Sequence, residues 1–107
     1  MAKLERTLKG DMYALLEKIE TGILAGSISA TLEDKSDFML GDVKCAVRVY
    51  ERYSFAGGNR VSLSLTAVQL GDEIKLSAIT SGGSQAVLFK LNTLGEKSFL
   101  RALEELL

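Results

Sequence analysis

Glu51, Tyr53 and Arg60 place a carboxylate, a phenol and a guanidinium close together, the side chains here best suited to moving a proton. Glu51 falls on the apolar side of an alternating stretch, where a carboxylate is costly unless paired. Thr80 and Gln85 continue the apolar faces of their own stretches, and Asn59, Ser81 and Ser84 sit in the neighbouring glycine-bearing turns. Glu51, Tyr53, Asn59, Arg60, Thr80, Ser81, Ser84 and Gln85 are therefore expected to line a small polar-headed cavity, open at a glycine-rich rim. The competing reading has Glu51 reach water at a strand bend, or pair with Arg60 or Arg6. No catalytic motif surrounds the trio, so an enzyme ranks below a binding module.

Three other patterns could carry chemistry. Ser81-Gly82-Gly83-Ser84 has the small residues of a phosphate loop, but no GKS or GKT follows and no helix opens there. Gly-Gly suits a two-residue hairpin turn instead. Lys44, Arg48 and Arg52 alternate around Tyr50, a basic stripe of the kind that binds single-stranded nucleic acid. One aromatic and a net charge of −1 are too little for that partner, and a nucleic-acid role is not expected. Glu33, Asp34, Asp37 and Asp42 miss the spacing of a calcium loop and read as a solvated acidic connection, so no metal is expected.

Absences exclude more. The chain has no histidine, which removes His-dependent triads, Cys–His dyads and HExxH zinc sites, and no cofactor is expected. Cys45 is the one cysteine, expected as a small buried hydrophobe in a chain with no internal disulfide. No apolar run approaches a bilayer span and none has signal-peptide form, so a cytoplasmic protein without membrane contact is expected. The 107 residues are 47% apolar and 25% charged, the balance of one ordinary domain spanning 1–107.

The positioning elements follow from periodicity. Leu4 and Leu8 mark a short first strand. Asp11 offers an N-cap to a helix carrying Met12, Leu15, Leu16, Ile19 and Ile23, which Gly26 ends. Period two then predicts strands at 27–33, 43–55, 61–70, 73–81 and 87–91. Within 43–55 the odd residues, Val43 through Phe55, are expected to face the core. That choice requires an odd-length loop after Phe55 if Val49 is to avoid Thr66. Thr93 and Glu96 form a capping box for a closing helix with Phe99, Leu100 and Leu103 on its stripe. The result is an α+β fold, an antiparallel meander of about six strands (β-α-β-β-β-β-β-α) with two helices on one face. Its topology looks like a helix-grip (START-like) fold, with cystatin-like and ferredoxin-like sheets as alternatives.

GDVKCAVRVYERYSF, SAITSGGSQAV and NTLGEKSF resemble the shared segments of a family of short, uncharacterised proteins from Gram-positive, mostly anaerobic bacteria. The resemblance implies a bacterial cytoplasmic protein and transfers no functional residue. Two functions stand. One is a small-molecule-binding module with a cavity between sheet and helices. The other is a homodimeric interaction protein using the outward sheet face, with Arg48, Tyr50, Val68, Ile79 and Leu88 as its contact positions.

Overall fold

The computed structural model describes residues 1–54, 59–82 and 89–107, with the backbone alone at 89–93. In chain order the elements are β1 (Ala2–Lys9), α1 (Met12–Gly26), β2 (Thr31–Leu40), β3 (Val43–Tyr53), β4 (Arg60–Leu70), β5 (Glu73–Gly82) and α2 (Phe89–Glu104). Two-residue turns join β2 to β3 and β4 to β5. Gly41 and Gly71 open those turns at φ of +59° and +62°, values that a side chain would resist. The second turn sets the expected register, Leu70 with Glu73, Ala67 with Leu76 and Leu65 with Ala78.

The strands form one antiparallel sheet in the order β1-β5-β4-β3-β2, so β1 returns to close the far edge beside β5. Both helices lie on one face. Met12, Leu16, Ile19 and Ile23 of α1 and Phe99 and Leu103 of α2 are buried against Ala46, Tyr50, Leu63, Leu65, Leu76 and Ala78 of the sheet. At the start of α1, Asp11 occupies the cap position in extended conformation but makes no side-chain capping bond. Buried Gln69 of β4 does that work. Its Oε1 accepts the Met12 N–H at 3.1 Å, and its Nε2 donates to the Gly10 carbonyl.

Five strands stand among the described residues where about six were expected, and the differences have physical causes. Residues 34–40, expected as an acidic loop, extend β2, an exposed edge strand whose charges and bulge between Leu32 and Asp34 guard against unwanted pairing, while 27–30, expected to begin that strand, turn the chain from α1 into it. Phe89 and Leu91, expected in a last strand, belong to α2, which therefore starts before Thr93 and needs no cap there. Val87 and the Gly82-Gly83 turn's second residue lie outside the described residues.

The largest correction concerns β3. Tyr53 pairs with Arg60, which makes the connection even in length and inverts the expected face. The even residues Ala46, Arg48 and Tyr50 turn to the helices, and Val43, Cys45, Val47 and Val49 turn away from them, opposite Leu70, Val68, Thr66 and Ser64. Cys45 is thus half-buried on the outer face and not a core residue.

Candidate functional site

The residues expected at a cavity separate onto two faces. Thr80 is fully buried on the helix side, where its Oγ1 donates to the Ala2 carbonyl at 3.4 Å. Glu51, Tyr53 and Arg60 come together at one corner of the outer face. Arg60 Nε donates to Glu51 Oε1 at 2.7 Å, Nη2 donates to Thr31 Oγ1 at 3.2 Å, and Glu33 lies 3.6 Å away. The guanidinium also stands 5.1 Å from the Tyr53 ring centre. Its hydrogen bond to Glu51 is the leading cause that holds its pKa above the ordinary value. Glu51 is thereby neutralised, as the competing reading had it. The Ser81 carbonyl accepts the Ser62 hydroxyl at 3.2 Å, and the Asn59 carbonyl accepts the Ser54 N–H. Ser84, Gln85 and Leu88 lie outside the described residues.

The basic stripe points inward. Arg48 is buried and grips Asp37 of β2 through Nη1 at 2.6 Å and Nη2 at 3.3 Å, a two-point contact that Lys could not copy. Tyr50 is fully buried, and its hydroxyl has no hydrogen-bond partner among the described residues. Its pKa is pushed up to about 12, chiefly by burial, with the charge of Glu20 adding and that of Arg48 opposing. Arg48 and Tyr50 therefore lie on the opposite side of the sheet from Val68 and Ile79, and only the latter two belong to an outward surface.

That outward surface is the most unusual feature of the molecule. Strand pairing arranges it in rows. Leu40, Val43 and Leu70 make the first, Phe38, Cys45 and Val68 the second, Ser36, Val47 and Thr66 the third, and Asp34, Val49 and Ser64 the fourth. Ile79 extends the fourth row onto β5. Phe38 is 53% exposed, Leu40 77% and Leu70 59%. An unbroken stripe of Val43, Cys45, Val47 and Val49 runs down β3, flanked on β4 by Val68, Thr66 and Ser64, while β5 and β1 bring Glu73, Lys75, Glu5 and Lys3 to the same face. Single exposed apolar residues need no explanation, but a contiguous patch of this size does.

The sequence signal for this stripe was present and pointed the wrong way. Alternation showed that one face of β3 is strongly apolar, and core-facing was the natural inference. The inner face is also satisfied by Ala46, Tyr50 and a paired Arg48, so the more apolar side of the strand is the uncovered one.

Among the described residues no cluster of three or more potential ligands could hold a metal, and no helix is long and apolar enough to cross a membrane. Fold and surface define an α+β protein with two helices on one face of a five-stranded antiparallel sheet and an apolar stripe along β3 on the opposite face. The chain belongs to the Family of unknown function (DUF6054), whose model matches residues 1–107. No curated protein matches it.

Proposed function

We propose that the protein is a non-enzymatic self-association module in which two copies pair outer sheet face to outer sheet face. The observation that carries this reading is the valine-rich stripe of β3 with nothing described above it. A two-fold axis running along β3 makes the surface self-complementary. Val47 and Val49 meet their own copies, Phe38 meets Val68, and Asp34 and Ser36 meet Ser64 and Thr66, apolar on apolar and acceptor on hydroxyl. That axis overlaps β2–β4 alone, and three strands about 4.8 Å apart with outward rows about 6.8 Å apart supply roughly 500 Å² per partner, enough for a reversible contact.

Enclosure of a ligand between sheet and helices, the helix-grip arrangement, is the weaker reading. Tyr50, Leu63, Leu65 and Phe99 are fully buried in that layer and fill it. A free thiol at Cys45 suits a reducing cytoplasm. The same thiol, at the middle of the stripe, reports on the contact. Alkylation of Cys45 by a bulky maleimide should slow as protein concentration rises, and Val49→Glu should restore the fast rate at every concentration. A rate independent of concentration would remove the basis for this reading.

A further inference from the structure

Arg52 stands apart from the other strand arginines. Arg6 holds Glu104, Arg48 holds Asp37 and Arg60 holds Glu51, whereas no described carboxylate lies within ion-pair distance of Arg52. Its guanidinium is half-buried all the same. It lies over the Phe99 ring, 4.5 Å from the centre, and its Nη2 donates to Ser98 Oγ at 3.1 Å. Burial holds its pKa below the ordinary value, yet a guanidinium stays charged at neutral pH. The ring contact and one hydroxyl compensate only part of the cost of desolvating a cation.

Arg52 forms part of the wall of a cleft of about 480 Å³, bounded by the α1–β2 connection, the end of β3 and α2. Small-molecule sites span roughly 300–1,000 Å³. The rest of its polar lining is largely hydroxyl, with no carboxylate among the described residues. Ser27 and Ser29 Oγ atoms lie 3.2 Å apart, Ser29 Oγ accepts the Tyr53 N–H at 3.0 Å, and Ser98 Oγ accepts from Arg52. A hydroxyl that accepts keeps its own proton to donate. At the lip, Ile28 is fully exposed and offers an apolar contact to the body of a ligand.

We infer that this cleft binds a small oxyanion, a carboxylate or phosphate group seated on Arg52 and the hydroxyls of Ser27 and Ser98. The missing counter-charge is then supplied by the ligand, and Ser98 orients the guanidinium for it. The cleft lies on the helix side of the sheet, so the inference stands independently of self-association.

The test is a ¹H–¹⁵N NMR titration of the full chain with inorganic phosphate and, separately, succinate, against sodium chloride at matched ionic strength. Saturable shifts at the Arg52 side chain and at the Ser27 and Ser98 amides are expected with at least one of the two anions, and whichever saturates identifies the headgroup. Arg52→Gln, with spectral dispersion retained, should weaken binding by about tenfold or more, and Arg52→Lys by less. Shifts that only track chloride, or equal affinity in Arg52→Gln, would overturn the inference.

Discussion

Tyr50 carries a hydroxyl into the core without a partner, and such a group costs more buried than in water. Tyr50→Phe should therefore leave the stability at neutral pH unchanged or raise it by about 0.5–1 kcal/mol, as read by urea denaturation. The alkaline limb should change as well. Burial raises the folded pKa to about 12 from an unfolded value near 10, so the folded state keeps its proton where the unfolded chain loses it. Stability from this group is whole below pH 10 and falls as pH rises towards 12. The wild type should lose stability over that range more steeply than Tyr50→Phe, by on the order of 1 kcal/mol per pH unit. Parallel pH profiles would show that the hydroxyl has a partner. Gly95 makes a second residue-scale case. A Cβ there would come within 2.7 Å of Ser54 Oγ and 3.3 Å of Val61, both anchored in or beside the sheet. Gly95→Ala gains helix propensity but should still lower stability by about 1–3 kcal/mol, the usual cost of overpacking. A rise in the denaturation midpoint would mean that α2 sits less tightly on the sheet than described.

Element boundaries were legible where local chemistry acts alone. Asp11 before an apolar stripe located the start of α1, and Gly71 fixed the β4–β5 register to the residue. Partners from distant strands were not legible. The bond that caps α1 comes from Gln69, 57 positions away, and nothing near Asp11 announces it. Asp11→Ala should accordingly cost less than about 0.5 kcal/mol, below the usual value of a working cap. Gln69→Leu strands the Met12 N–H and the Gly10 carbonyl and should cost about 1–3 kcal/mol. The reverse order of these two effects in thermal unfolding would return the cap to Asp11. The face of β3 was misread for a related reason. Placing the more apolar face inward is a sound rule only when buried cations are absent, and β3 buries Ala46, Tyr50 and a paired Arg48 while its valines face outward. The candidate ligand set divides with it: Glu51, Tyr53 and Arg60 meet as an ion-paired corner of the outer face, whereas Thr80 lies in the core. Arg52, which the alternation placed outward, stands instead at the cleft beside α2.

At the scale of the whole molecule, all helical cover is spent on one side. The principal extents of 46 × 25 × 21 Å describe an elongated slab with the edge strand β2 exposed along its length. Two such slabs joined at their bare faces give a layered sandwich with helices outside, the arrangement that buries a sheet from both sides. The account predicts that monomer and dimer differ in apolar area removed from water and hardly at all in fold. Val47→Glu, at the centre of the stripe, should break the contact while leaving the circular dichroism spectrum intact, because its side chain points away from the core. Sedimentation equilibrium of the wild type and Val47→Glu at about 100 µM, where a reversible contact of micromolar strength is populated, tests this most directly. The wild type should weigh about twice its 11.6 kDa chain and the variant about once. A wild type that sediments as a monomer, or a Val47→Glu variant that remains a dimer, would contradict the account.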